Sequence, residues 1–448
     1  MARNEASLPM ELEVLAEKKK TEVGSYFVAN YPPFSVWSPD HKPAIESALS
    51  RPPRPDTPVG LYLHIPFCRK RCKFCYFRVY TDKNASEIEV YLDALNREIA
   101  LYAGHGGFGS RQFEFVYFGG GTPSYLSNAQ LERLVERINH TWTWSAAREV
   151  TFECEPGTLK ESKLQTIKKI GVTRLSLGVE HFDDEVLSIN GRAHKSPEIL
   201  RAYQWAREVG FPQINVDLIA GMLGETEDKW KTTVEKTIAL DADSVTIYQM
   251  EVPYNTGIAK DAREHGGVSE VASWAQKRAW VDYAFRQFEA AGYVVSSGYT
   301  LVKPSRHAGF VYRDSLWRGA DLVGTGVASF GHFQGVHYQN YDKWEDYIER
   351  IQLGQLPIHR ALPVSQHQLL IREMILLLKT GKLDAAYFRK KFSVEIFDEF
   401  REGFDSLVEE GVASITGDEV RLTREGLLRV DTLLPRFFEP EFRNIRYT

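Results

Sequence analysis

Six short apolar runs recur along the middle of the chain, and stretches with helical periodicity separate them. The runs are Leu61–Ile65, Phe115–Phe118, Val150–Cys154, Arg174–Leu177, Asn215–Ile219 and Ser244–Tyr248. Their length and composition are typical of strands. The helical stretches are Glu87–Tyr102, Asn128–Asn139, Leu159–Ile170, Pro197–Val209 and Glu227–Ala239. This alternation predicts an α/β fold in which right-handed crossovers join six parallel strands into a partial barrel or an open sheet.

The two ends of the chain differ from this alternating middle. Residues 51–58 contain four prolines, which predict a linker because proline interrupts a helix. Beyond about residue 360 the pattern is helix-rich, and Ala413–Thr423 predicts a hairpin like that of a winged helix. We expect an N-terminal arm and linker over 1–57, a barrel over 58–300, a barrel extension on the substrate side over 301–360, and a helical, winged-helix-like domain over 361–448.

Composition and charge narrow the class of protein. Of the 448 residues, 43% are hydrophobic and 26% are charged, which is typical of a globular protein. The formal charge of −5 gives no global field that would attract nucleic acid, and the charges near the predicted wing are mixed. No uninterrupted run of about 18 apolar residues occurs. We therefore expect a cytoplasmic protein with neither a nucleic-acid nor a membrane partner.

Three of the four cysteines crowd into one loop after the first predicted strand. Cys68, Cys72 and Cys75 have the spacing C-x3-C-x2-C, which does not resemble the disulfide framework of a secreted protein. Thiolates are soft ligands that suit zinc or an iron–sulfur cluster. Zinc would require a fourth ligand, for which His64 is a candidate on the strand side, but paired C-x2-C motifs are absent. A 4Fe–4S cluster on three cysteines would keep one iron free to bind a substrate.

A glycine run follows the second predicted strand. Gly119, Gly120 and Gly121 precede Thr122 at the carboxyl end of Phe115–Phe118. Glycine lets the backbone approach a ligand closely, and ligand-binding groups of parallel α/β folds gather at the carboxyl ends of strands. Two neighbouring strands thus predict one site.

The cysteine loop, with the aromatic Phe74 before its third cysteine, resembles the signature of the radical S-adenosylmethionine (SAM) superfamily. The resemblance implies a partial (β/α)6 radical SAM barrel and a 4Fe–4S cluster held by Cys68, Cys72 and Cys75. It also implies that the open iron chelates SAM, which an electron from the reduced cluster cleaves to methionine and a 5′-deoxyadenosyl radical. The glycine run matches the superfamily's contact to the methionine amino group.

Further motifs narrow the resemblance to the oxygen-independent coproporphyrinogen III oxidase-like, or HemN-like, family from about residue 26 to the C-terminus. They are Tyr62–Cys68, the GGGTPS run, Arg174–Glu180, Asn215–Gly221 and the early Tyr31-Pro32-Pro33. The resemblance implies that up to two SAM molecules contact Tyr62, Gly119, Gly120, Gly121, Thr122, Glu153, Glu180, Arg192 and Asp217. It assigns catalytic roles to Tyr62, His64 and Glu180.

Strand alternation places Tyr62 and His64 on one face and turns Cys154 away from Glu153. Cys154 is therefore expected to be a small buried core residue. His64 could either pack beneath the cluster or move protons.

Departures from the family pattern set the order of the functional hypotheses. Tyr76-Phe77 stands where the oxidase carries a further cysteine, Glu180 replaces a glutamine, and Tyr312–Trp317 lacks the histidine of the haem-chaperone branch. We expect first a class C radical methylase in which a second SAM donates a methylene or methyl group for C-methylation or cyclopropanation. The alternative is oxygen-independent coproporphyrinogen III oxidation, and the third hypothesis is a haem chaperone.

The expected partners follow from these hypotheses. They are an aromatic, unsaturated or tetrapyrrole-like small molecule and a reductase such as flavodoxin or ferredoxin as electron donor. Aromatic and polar side chains suit a flat ligand, and the candidates for the substrate side are Tyr299, Arg313, Trp317, His332 and His337–Asn340. The same residues could equally form an aromatic core.

Overall fold

A twelve-stranded sheet runs through the computed structural model, which describes residues 27–253, 255–264, 271–306, 308–443 and 445. Its strands are β1 (Val59–Ile65), β2 (Phe115–Gly120), β3 (Glu149–Cys154), β4 (Arg174–Glu180), β5 (Gln213–Ala220), β6 (Ser244–Gln249), β7 (Val294–Val295), β8 (Thr300–Val302), β9 (Asp321–Thr325), β10 (Phe330–Phe333), β11 (Val336–Asn340) and β12 (Ile358–Pro363). The strand order is β12-β11-β10-β9-β1-β2-β3-β4-β5-β6-β8-β7.

Helices alternate with the parallel strands. In chain order they are α1 (Lys42–Ser50), α2 (Ala85–Ala103), α3 (Asn128–Thr141), α4 (Glu161–Lys169), α5 (Asp184–Ile189), α6 (Ser196–Val209), α7 (Glu227–Leu240), α8 (Gly257–Glu264), α9 (Trp274–Ala290), α10 (Val311–Trp317) and α11 (Trp344–Gln352). Capping boxes at Asn84 and Ser127 begin α2 and α3, and Gly210 ends α6 in the left-handed conformation.

The predicted α/β fold and its six parallel strands are confirmed. β1 to β6 pair in parallel in chain order, and the structure adds β9, which pairs in parallel with β1. Antiparallel strands extend the sheet on both sides. On β5, the apolar Ile214, Val216 and Leu218 pack in the main core, and the alternating Asn215 and Asp217 face the polar interior of the partial barrel; of these two, Asn215 is fully buried and Asp217 is partly exposed.

The C-terminal region is helix-rich, as predicted, and has its own apolar core. It contains α12 (Gln366–Leu378), β13 (Lys382–Asp384), α13 (Ala385–Phe392), α14 (Ile396–Glu399), α15 (Arg401–Glu409), β14 (Ala413–Thr416), β15 (Glu419–Leu422), α16 (Arg424–Leu428) and α17 (Val430–Leu433). The predicted hairpin is β14–β15. Val28 and Tyr31 from the arm are buried in this core, whereas the arm residues 1–26 lie outside the described part.

Within the described ranges, no helix combines the length and the apolar character needed to cross a lipid bilayer.

Candidate functional site

The cysteine loop begins at the carboxyl end of β1, and backbone hydrogen bonds hold it on both sides. The N–H of Cys68 donates to the Tyr80 carbonyl at 3.0 Å, and the N–H of Lys73 donates to the Asn190 carbonyl at 3.0 Å. Cys68, Cys72 and Cys75 are free and partly buried. Cys154 is buried on β3 at 4% exposure and packs in the main core, as expected for its opposite face.

Burial favours the protonated thiols of Cys68 and Cys75, whereas hydrogen-bond donors to sulfur favour thiolates. Burial raises the pKa of Cys68 to about 11 and that of Cys75 to about 12. The Thr122 hydroxyl donates to Cys68 Sγ at 3.4 Å, and Arg192 Nη1 donates to Cys72 Sγ at 3.4 Å. Donors to sulfur stabilise thiolates in iron–sulfur sites. No three Cys, His, Asp or Glu side chains converge on a single metal ion in the described ranges.

The glycine run packs directly on the cysteine loop. The N–H of Gly121 donates to the Ile65 carbonyl at 2.9 Å, and the N–H of Thr122 donates to the Phe67 carbonyl at 2.8 Å. Gly120 has a φ of +111°, and a Cβ there would lie 2.4 Å from the His64 ring. These glycines are therefore required by loop packing, a reason that the sequence did not reveal.

Three carboxylates face the interior of the barrel near these loops. Glu153 on β3 accepts from the Tyr117 hydroxyl at 2.7 Å and from the Gly120 N–H at 3.2 Å. Glu180 ends β4 with a φ of +64° and lies 3.6 Å from Arg192 Nη1. Burial raises the pKa of Glu153 and of Glu180 to about 7, and it also raises the pKa of Asp217 on β5. The charges of the three groups repel one another.

Two buried guanidinium groups balance part of this negative charge. Arg192 Nη2 donates to the Gly178 carbonyl at 2.6 Å, while its buried Nε has no hydrogen-bond partner among the described residues. Arg174 is 1% exposed and stacks 4.0 Å above the Phe310 ring, and in the described part of the chain its Nε and Nη1 have no hydrogen-bond partner. Sequence reasoning treated Arg174 only as part of a motif. Its polar neighbours at every second strand position could have identified it as an interior residue.

Tyr62 and His64 share a face of β1, as predicted. The Tyr62 hydroxyl lies 3.3 Å from His64 Nδ1, and the Tyr62 ring stacks on Tyr117 at 5.9 Å. Burial lowers the pKa of His64 to about 4, and burial also raises the pKa of Tyr62 well above its usual value. His64 is therefore neutral near pH 7 and packs beneath Gly120. Its catalytic role, like that of Tyr62, stays a prediction.

Exposed aromatic side chains occur beside the cysteine loop and on β6, where Tyr76 and Tyr248 lie close enough to interact. Tyr76 and Phe77 are 45% and 46% exposed, with ring centroids 4.6 Å apart, and Tyr248 on β6 is 42% exposed. Tyr312 packs 4.4 Å from Tyr117 below them. This arrangement can accept a flat ligand.

The residues expected on the substrate side make contacts within the fold. His332 and His337 are buried, their Nδ1 atoms 2.8 Å apart, and Trp37 stacks on His337. The other members of this set are also committed to structural contacts: Tyr338 bonds Gly324, Gln339 bonds Arg360, Asn340 bonds Glu98, Tyr299 bonds Asp431, Trp317 packs in the C-terminal core, and Arg313 bonds Ser296. These contacts agree with the aromatic core that the sequence equally allowed, and a role of these residues on the substrate side stays a prediction.

Comparisons with known proteins agree with this geometry. The sequence profile described as the radical SAM superfamily matches residues 62–237. The heme chaperone HemW of Bacillus subtilis (strain 168) is 28% identical over 375 residues, which cover 82% of this chain and 96% of that protein. The oxygen-independent coproporphyrinogen III oxidase of Escherichia coli (strain K12) is 25% identical over 397 residues, 84% of each chain.

The solved structure of coproporphyrinogen III oxidase (HemN) from Escherichia coli, a radical SAM enzyme, superposes with a TM-score of 0.79 at 24% identity. The match covers 94% of this chain and 98% of that one. It shows the same fold across barrel and C-terminal region. The two curated relatives described above are a haem chaperone and an oxidase, and they do not support the expectation of methyl transfer.

Proposed function

The chain belongs to the radical SAM superfamily and, within it, to the HemN-like family, and from this premise we propose that it oxidatively decarboxylates a coproporphyrinogen-like tetrapyrrole without oxygen. The observation that most directly supports this proposal is that the cysteine loop, the glycine run and the interior carboxylates lie close together beside exposed aromatic rings. The 25% identical oxidase, matched over 84% of this chain, supports this substrate class over methyl transfer.

The protein is a radical SAM enzyme that uses a 4Fe–4S cluster and SAM. In the proposed site Cys68, Cys72 and Cys75 ligate the cluster, and the thiol environment described above fits that role. Together the bound cluster and SAM supply a carbon radical that abstracts hydrogen. The protein holds the reacting groups close together and keeps water from them.

The proposed cofactor contacts divide by charge. Glu153 and Asp217 offer acceptor oxygens to the cationic groups of SAM, and Arg192 carries an unpartnered Nε that suits a carboxylate. Gly119, Gly121 and Thr122 present backbone groups beside the cysteine loop. Glu180 and Tyr62 are the remaining proposed contacts, and they extend the site toward a second SAM molecule.

The proposed substrate lies on the aromatic side of the same space. Tyr76, Phe77 and Tyr248 offer exposed ring faces that suit a flat, unsaturated ligand. His64 is neutral and packs under the glycine run, so we assign it a supporting position below the substrate. A flavodoxin or ferredoxin stays the predicted electron donor.

Anaerobic turnover tests this proposal. Reconstituted, reduced protein is incubated with coproporphyrinogen III and SAM carrying a deuteriated methyl group, and carbon dioxide, 5′-deoxyadenosine and product mass are measured. We expect carbon dioxide to form together with 5′-deoxyadenosine, and no deuterium to enter the product. Formation of 5′-deoxyadenosine without carbon dioxide would reject the proposed reaction.

A haem chaperone is the second candidate, because HemW of Bacillus subtilis is 28% identical over 82% of this chain. The same protein is titrated with micromolar haem while the Soret band is followed. Saturable haem binding in the absence of decarboxylation would favour this candidate. An unshifted Soret band would exclude it.

A further inference from the structure

A hydrogen-bond network beneath the site crosses three neighbouring strands and centres on Asn215. This side chain is fully buried on β5, and its carboxamide oxygen accepts from Ser244 Oγ at 2.8 Å and from Thr246 Oγ1 at 3.1 Å. Its Nδ2 donates to Asp217 Oδ1 at 2.9 Å and to Ser176 Oγ at 3.0 Å. Both ends of the carboxamide are therefore committed to partners.

Chemistry fixes the direction of these hydrogen bonds. Ser244 Oγ accepts from Gln213 Nε2 at 3.2 Å, so its own proton can point to the Asn215 oxygen. A carboxamide oxygen can only accept, which fixes the orientation of the Asn215 amide. The Ser176 hydroxyl donates to Asp217 Oδ2 at 2.7 Å. All donors thus point one way, from Gln213 at the start of β5 toward Asp217.

We propose that Asn215 is a positioning residue that holds the Asp217 carboxylate as a hydrogen-bond acceptor in one orientation, ready for a cationic group of SAM. This inference rests on the assignment of Asp217 to SAM under the proposed function. One donor engages each carboxylate oxygen of Asp217 from the strand side. Because Asp217 itself is only partly buried, its other lone pairs remain available to a ligand in the barrel interior.

The surroundings of Asp217 explain why a positioning residue is needed there. The charged and titratable groups that act on it from the neighbouring elements are Glu153, Glu180, Arg174, Arg192, Tyr117 and Tyr248. Burial raises the pKa of Asp217, while the Ser176 donor, the Arg174 charge and the Asn215 donor lower it. Without the Asn215 amide, the crowded carboxylate would take up a proton more readily.

Two nearly isosteric variants separate positioning from packing. Asn215→Asp keeps the acceptor for Ser244 and Thr246 but removes both donors toward Asp217 and Ser176. Thr246→Val removes one donor on the far side of Asn215 and leaves its Nδ2 in place. Ser176→Ala removes the hydroxyl that accepts from Asn215 Nδ2 and donates to Asp217 Oδ2. It is the second test should Asn215→Asp fold poorly.

The first measurement uses metal-free protein, whose thermal unfolding midpoint is followed from pH 5 to pH 8. In Asn215→Asp the paired carboxylates share a proton, so their folded pKa rises above the unfolded value and stability falls as pH rises through it. We expect the difference in unfolding midpoint between Asn215→Asp and wild type to widen toward pH 8. For Thr246→Val the gap should be independent of pH. Equal, pH-independent gaps for both variants would overturn the proposal.

The second measurement is SAM affinity of the reconstituted protein by anaerobic calorimetry. We expect Asn215→Asp to bind at least about tenfold more weakly at pH 7, with partial recovery at higher pH, because the donor that orients the charged acceptor is lost. Ser176→Ala should bind about threefold to tenfold more weakly, and Thr246→Val should stay within about threefold of wild type. Wild-type affinity in Asn215→Asp, or an equal loss in Thr246→Val, would overturn the proposal.

The stability and affinity measurements also distinguish a failure of this inference from a failure of the proposed reaction. If both measurements behave as expected but coproporphyrinogen III releases no carbon dioxide, the substrate is wrong and the role of Asn215 stands. If the stability gap widens while SAM affinity is unchanged, Asp217 does not serve SAM, and the positioning role falls with it.

Discussion

Glu98 and Glu153 are both deeply placed glutamates, and burial raises the pKa of each to about 7, yet their surroundings differ. Glu98 is fully buried and accepts from Gly326 N, Tyr347 Oη and Asn340 Nδ2 at 2.6–2.7 Å. Glu153 has two donors, remains partly exposed and faces two other carboxylates.

The difference teaches how to distinguish a buried charge that holds the fold from one that awaits a ligand. Around Glu98 the donors close the site completely and fix the turn at Gly326, which packs against β1. Around Glu153 the charge is only partly compensated, and the barrel interior stays open. An altered pKa alone would not have separated the two, whereas the count of donors and the exposure do.

The same distinction between a site residue and a core residue applies to two cysteines, for which the largest effect is expected. Cys72 lies in the loop and accepts from Arg192, whereas Cys154 packs in the core. We expect Cys72→Ala to abolish the cluster absorbance and all SAM cleavage, because three thiolates are needed to hold the cluster.

Cys154→Ala is the matched control and should retain both iron and cleavage. Iron analysis and absorbance after anaerobic reconstitution measure the difference. An unchanged iron content in Cys72→Ala would contradict the assignment of the loop.

Removal of Glu98 should have the largest effect on stability. Glu98→Ala leaves Gly326, Asn340 and Tyr347 without their acceptor, so we expect a loss of about 3–5 kcal/mol in the free energy of unfolding. Urea denaturation measures this loss. SAM affinity of the folded fraction should change little. Wild-type stability in Glu98→Ala would show that Glu98 does not stabilise the fold.

Removal of the charge at Glu153 should affect SAM affinity strongly and stability little, which is the opposite of the effect expected at Glu98. Glu153→Gln keeps the shape and an acceptor for Tyr117, so the free energy of unfolding should fall by less than about 1 kcal/mol or rise. SAM affinity should fall about 10-fold to 100-fold, because a charged acceptor is lost. Calorimetry and urea denaturation of the same sample measure both. If Glu153→Gln lost stability but kept its affinity for SAM, Glu153 would stabilise the fold, as Glu98 does, and would not bind SAM.

The smallest expected effect is on the pH dependence of stability. The folded pKa of Glu98 is raised to about 7, so its contribution to stability is complete below the unfolded value of about 4.3 and is lost as pH rises through about 7. Glu98→Gln should therefore unfold with a flatter pH dependence between pH 5 and pH 8. Identical slopes for the variant and the wild type would show that Glu98 keeps one protonation state throughout.

Local patterns predicted the framework of the fold well. The runs that became β1 to β6 have apolar residues and crossover helices in the expected order, and the cysteine loop follows β1 directly. The pairing of β9 with β1 could not be predicted, because the 255 residues between the two strands leave no local signal for it. The sequence left open whether His332 and His337 line the substrate side or form a core, because the packing of Trp37 and the arm against them also leaves no local signal.

The candidate site was predicted in part. The resemblance identified Glu153, Arg192 and Asp217 as candidate contacts, and strand alternation turned Cys154 away from Glu153. The network around Asn215 was missed, because its meaning depends on hydroxyl groups from two other strands. Arg174 was missed because its charge is balanced through space and not by a neighbour in sequence.

The left-handed backbone at Glu180 makes this position one where folding and chemistry compete. A glycine there would relieve about 1–2 kcal/mol of strain but would delete the carboxylate. Rounds of directed evolution that reward heat resistance alone are therefore expected to enrich glycine or asparagine at residue 180, whereas rounds that reward turnover should restore glutamate.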